Sequence, residues 1–150
     1  MIPRAGGWCC SRPAELSAEQ RGVYDQLLAT EVPWAEQSGF EAQTEAHELI
    51  GPFNAMLRSP EIATAMLGLT SALGQHSALG APVRQVVILT VGAAWQADYE
   101  LYAHAAVARK AGLAEEAIRA LAAGQPPTGL GPEEVLAHEF TRQLVATHRD

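Results

Sequence analysis

Residues 1–16 carry Pro3, Gly6, Gly7 and Pro13 and no sustained hydrophobic period, which predicts an extended arm ahead of a helical domain spanning 17–150. Ser17-Ala-Glu-Gln20 fits a capping box, with the hydroxyl accepting an N3 amide and the Gln20 side chain reaching back to the N-cap amide. Val23, Tyr24 and Leu27 supply the apolar stripe of that first helix, and Pro33 predicts its end by disfavouring helical geometry at Val32. Residues 34–57 are broken by Gly39, Gly51 and Pro52. They predict a long loop or short helices, with a weak helical pattern only from Ala42 to Ile50. Ser59-Pro60 restarts the chain as N-cap and N1, and Ile62, Met66, Leu67, Leu69 and Leu73 carry a helix to about Gln75.

Val86 to Val91 is a continuous, largely β-branched run that resembles a buried strand when read alone. It continues through Ala93, Ala94 and Trp95, and no second run exists to pair with it. A lone strand would leave its ladder groups unpaired, so a central, all-round apolar helix is predicted. Gln96 to Lys110 follows as a helix, with Arg109 and Lys110 in its last turn and Gly112 as the terminating glycine. Ala114 to Ala122 predicts a short helix and Gly124 to Gly131 a loop. Pro132 to about His148 predicts the last helix, with Val135, Phe140 and Leu144 facing inward. The pattern is all-α, with about six helices.

Composition narrows the classes of function. Of 150 residues, 48% are hydrophobic and 18% charged, the balance of a folded globular domain. Ten Lys and Arg against seventeen Asp and Glu give a net charge of −7, so no basic stripe is present to neutralise a nucleic acid backbone. Apolar runs fall well short of the roughly 20 residues a membrane-spanning helix needs. Met1 to Trp8 has no apolar core like that of a secretory signal, so the cytoplasm is the expected compartment. Cys9 and Cys10 are adjacent and close no loop, which predicts reduced thiols in the arm rather than a disulfide framework.

The candidate chemistry lies in Ala97-Asp98-Tyr99-Glu100-Leu101-Tyr102-Ala103-His104. Positions 97, 100 and 104 share one helix face, and a carboxylate one turn before an imidazole tunes its pKa or tautomer for proton transfer. An exposed i,i+4 pair with no such role is the alternative reading. His47 with Glu45 and Glu48, and His138 with Glu134 and Glu139, read as solvated faces rather than metal sites. His76 reads as an exposed histidine at a helix end, or as one approaching a site from a neighbouring copy.

Gly51 to Glu61, Pro82-Val-Arg-Gln85, Tyr99-Glu100 with His104, and Ala111-Gly-Leu113 together resemble the carboxymuconolactone decarboxylase family and the related alkylhydroperoxidase D-like proteins. The likeness extends over roughly residues 16–145. It implies an all-α alkylhydroperoxidase D-like bundle, assembled into trimers or hexamers, with a site around the His104 helix and the helix before it. The redox branch of the family resembles a Glu followed by Cys-x-x-Cys-x-x-x-His. Here those positions hold Gln85, Ala97, Glu100 and His104, so no thiolate and resolving cysteine are present there. The decarboxylase branch resembles Tyr99, Glu100 and His104 as they stand.

That branch implies a carbon–carbon lyase needing no metal or organic cofactor, in which a small lactone acid loses carbon dioxide and a proton is delivered to carbon. The resemblance implies His104 as acid/base and Glu100 as its orienting or electrostatic partner. Gln85 and Arg84 are candidates for hydrogen bonds to a lactone or carboxylate oxygen. Asn54, Trp95 and Tyr99 are candidate substrate contacts, with turn, core or interface roles as their alternatives. A non-catalytic oligomeric protein that kept the fold, and an oxidant-handling protein, remain as other readings. The chain reaches Asp150 where the resemblance implies further helices, so packing between copies is expected to cover the surface they would bury.

Overall fold

A computed structural model describes residues 10–147. Among these are a 3₁₀ turn at Pro13–Glu15 and the helices α1 (Ala18–Ala29), α2 (Glu31–Ser38), α3 (Gly51–Met56), α4 (Pro60–His76), α5 (Ala81–Trp95), α6 (Asp98–Lys110), α7 (Glu115–Ala122) and α8 (Pro132–Ala146). No strand forms among the described residues, so the all-α expectation holds; of the two readings of residues 34–57, a long loop or short helices, α3 and the end of α2 are short helices. No described helix is long and apolar enough to cross a membrane. Cys9 and most of the expected arm lie outside the described residues.

The described chain divides after Ala78 into two compact units. In the N-terminal unit, the Ser17 hydroxyl accepts the Gln20 amide and the Gln20 side chain accepts the Ser17 amide, forming the anticipated capping box. Pro33 does not end a helix at Val32. Instead α1 stops at Ala29 and α2 begins at Glu31, so Pro33 falls in the first turn of α2, where an amide has no intrahelical acceptor to lose. The weak helical pattern over Ala42 to Ile50 is also overturned. Gln43 and Leu49 pair as an isolated antiparallel bridge around a turn in which His47 takes a positive φ of 60°. α4 starts at Pro60 as expected, although Ser59 makes no side-chain capping bond.

In the C-terminal unit, α5 is the central helix, packed by α6, α7 and α8. Val86 and Leu89 join Ala108, Leu113, Ile118 and Leu121 in one buried cluster, so packing against helices on that face overrides the β propensity of the run, while Val91 on the other side is exposed. Gly112, at φ 91°, terminates α6 in the left-handed region that glycine adopts without strain. The inward face assigned to α8 is wrong. Val135, Phe140 and Leu144 are exposed, as is Leu136, while Thr141 is the buried residue of the helix. α8 turns a more polar face to its own unit and leaves its apolar stripe outside. α4 likewise leaves Ile62, Met66, Leu69 and Leu73 exposed, while burying the apolar Ala63 and Leu67.

Candidate active site

The junction of α5 and α6 builds the site. α5 closes on Gln96 in the left-handed region (φ 54°), and the Ala97 amide donates back to the Gly92 carbonyl at 2.9 Å, folding α6 against α5. Gly92 gives the room for this approach. A Cβ there would lie 3.0 Å from Cδ2 of Leu101 and 3.9 Å from Cβ of Glu100. α6 therefore seats with Glu100 beside Gly92, and His104, one turn further along, meets Gln85 across the helix pair.

The Nδ1 of His104 lies 2.8 Å from Oε1 of Gln85, and its Nε2 lies 3.4 Å from Oε2 of Glu100. Gln85 is buried, His104 is 16% exposed through its side chain and Glu100 43%, so the three groups run from the interior toward solvent. Burial pushes the Glu100 carboxyl above its ordinary 4.5 and the His104 imidazole below its ordinary 6.5. The two values converge. Shifts in these directions favour proton exchange between carboxyl and imidazole, the task of an acid/base pair.

These shifts act on stability in opposite directions. The native carboxyl holds its proton above 4.5, where the unfolded one has lost it, so the Glu100 contribution falls as pH rises through that window. The native imidazole sheds its proton below 6.5, where the unfolded one retains it, so the His104 contribution rises with pH up to about that value. In urea unfolding between pH ~4.5 and ~6.5, the stability of Glu100→Gln relative to wild type is expected to rise with pH, and that of His104→Gln to fall. Relative slopes of the same sign for the two variants would contradict the assignment.

The other candidates are placed as follows. Arg84 donates through Nη2 to the Leu79 carbonyl at 3.4 Å, while its buried Nε has no hydrogen-bond partner. Tyr99 is buried and meets Tyr102 edge to face at 6.0 Å, whereas Trp95 is 64% exposed at the end of α5. Asn54 belongs to the N-terminal unit, where it is buried on α3 and its Oδ1 accepts the Ser11 amide at 3.0 Å. Clefts of about 570 Å³, beside Tyr24 and His47, and about 490 Å³, beside Gln20 and Pro60, lie in the N-terminal unit, and neither is lined by His104. Among the described residues, no cluster of three or more His, Cys, Asp or Glu side chains is arranged to hold a metal.

Gly92 is the contributor that the sequence reading missed. Its signal was present as a lone glycine inside an otherwise bulky helical run, a common mark of close backbone approach. The direct bond between Gln85 and His104 had no signal in spacing, because it depends on the register of two helices.

No curated protein and no solved structure matches the chain. A model of the carboxymuconolactone decarboxylase family matches residues 60–143, running from the start of α4 through most of α8. That stretch holds Gln85, Glu100 and His104 and exceeds half of the sequence, so the chain belongs to the carboxymuconolactone decarboxylase family.

Proposed function

We propose that the chain is a cytoplasmic, cofactor-independent lyase that decarboxylates a small lactone or related carboxylic acid, with His104 as the acid/base group. The observation that carries this reading is the line Gln85, His104, Glu100, in which an imidazole contacts a neutral amide through one nitrogen and faces a carboxylate through the other. In the proposed reaction, the bond between the carboxylate carbon and the ring breaks and carbon dioxide leaves. The electron pair passes into the adjacent double bond and lactone carbonyl, and His104 then delivers a proton to ring carbon. The substrate's own carbonyl is the electron sink, so the reading calls for no metal or organic cofactor. Arg84, whose buried Nε–H has no hydrogen-bond partner, is proposed for a substrate carboxylate, with Trp95 and Tyr99 proposed as further contacts.

Assembly into a trimer or hexamer belongs to the same reading. The exposed stripes Ile62, Met66, Leu69, Leu73 on α4 and Leu136, Phe140, Leu144 on α8 support it, because apolar rows of this length on a helix face are costly to leave in water. Sedimentation equilibrium is expected to give three or six times the 16.0 kDa chain mass, and a monomer at micromolar concentration would count against assembly. A non-catalytic oligomer is the second reading, favoured by one observation: neither described cleft is lined by His104. Release of carbon dioxide from carboxymuconolactone by the purified chain decides between them. Sustained turnover supports the lyase, and none at saturating lactone supports the non-catalytic protein. Ala97 and Glu100, standing where the redox branch has its cysteines, weigh against peroxide turnover.

A further inference from the structure

Gln85 was a candidate for binding substrate, yet its side-chain oxygen is committed within the chain. We propose that Gln85 is a positioning residue, whose Oε1 accepts the Nδ1–H of His104 and so leaves Nε2, the nitrogen facing Glu100, as the atom that exchanges the proton. This rests on the reading of His104 as the proton-transfer group. It names which nitrogen acts, and what fixes that choice.

A neutral imidazole carries one N–H, and its other nitrogen is an acceptor. Opposite a carbonyl oxygen at 2.8 Å, a protonated Nδ1 makes a hydrogen bond, whereas a bare Nδ1 sets lone pair against lone pair. Burial strengthens the preference. Gln85 is 5% exposed on the central helix, so water is poorly placed to replace a missing donor, and an unpaired oxygen there bears its full desolvation penalty. Glu100 pulls the other way when ionised, favouring a proton on Nε2 at 3.4 Å, but it is partly solvated and its field is weakened accordingly. The shorter, drier contact therefore sets the tautomer. With Nδ1 occupied, Nε2 is the nitrogen on the side of the more exposed Glu100.

The residue type fits this role. A carboxylate at position 85 would also accept the Nδ1–H, but its charge would hold the imidazole in the doubly protonated state. The neutral amide orients His104 and leaves the Nε2 proton free to depart.

The test is nitrogen NMR of the full chain labelled in its histidines, without substrate, at about pH 8, above the ordinary histidine range. The His104 ring is identified by its loss in His104→Gln. Wild type is expected to show a protonated Nδ1 and a bare Nε2. Gln85→Glu, which keeps the acceptor and adds a charge, is expected to keep Nδ1 protonated and to gain a proton on Nε2, while Gln85→Met, which removes the acceptor, moves the proton to Nε2 or mixes the two forms. A protonated Nε2 in wild type overturns the proposal, and so does a Gln85→Met spectrum with Nδ1 still protonated. The wild-type spectrum alone suffices if a variant fails to fold. Because no turnover is read, a chain that holds Nδ1–H but never releases carbon dioxide refutes the decarboxylase reading and leaves the positioning role of Gln85 standing.

Discussion

Replacing His104 with glutamine is expected to lower kcat/KM for carboxymuconolactone by about 10²–10⁴-fold, the usual contribution of a positioned acid/base group. Glutamine keeps polarity and approximate volume but carries no titratable proton, so the loss falls on kcat more than on KM. Glu100→Gln is expected to have a smaller effect, because it removes the carboxyl that orients and tunes the imidazole rather than the group that delivers the proton to carbon. The bell-shaped pH profile of kcat/KM should lose one limb in that variant. Steady-state carbon dioxide release, followed alongside far-UV circular dichroism to confirm folding, measures both. Turnover by His104→Gln within threefold of wild type would remove His104 from the chemistry.

The largest stability effect is expected at Leu89→Ala. Leu89 is fully buried on α5, one turn beyond Gln85, and packs in the cluster with Val86, Ala108, Leu113, Ile118 and Leu121. Truncating it removes transfer free energy and leaves a cavity that three packed helices cannot fully close, which costs about 2–5 kcal/mol. Leu136→Ala, at an exposed leucine of α8, is the internal control, expected to change the stability of a dissociated chain by no more than ~0.5 kcal/mol. Urea unfolding at protein concentrations below subunit association separates the two. Equal costs at both positions would mean that α5 is not the packed centre of its unit.

Much of the fold was written locally. The capping box at Ser17 and Gln20, Pro60 at the first position of α4 and Gly112 after α6 each depend on a few neighbouring residues, and each occurs where the sequence predicts it. The elements misread are those whose conformation depends on what packs against them. Pro33 is compatible with the first turn of a new helix as well as with the end of an old one, and the sequence pattern favoured the wrong choice. On α8 the apolar stripe is real, but periodicity reports only that a stripe seeks cover. The internal face is centred on Thr141, and Val135, Phe140 and Leu144 point away.

The site divides the same way. Glu100 and His104 were legible together because four residues on one helix place them one turn apart. Gln85 was singled out, but its partner was not, since the 2.8 Å contact arises only after Gly92 lets α6 settle against α5. Asn54 was grouped with them through the resemblance alone. Its side-chain oxygen accepts the Ser11 amide within the N-terminal unit.

The most direct test of His104 as the proton donor is turnover of carboxymuconolactone in heavy water. Wild type should give product carrying one deuterium on a single face of the newly protonated carbon, because a fixed imidazole delivers it from one side. The residual product of His104→Gln should carry the label on both faces. Label on both faces with wild type, or on one face with His104→Gln at an unchanged rate, would contradict the assignment of proton delivery to His104.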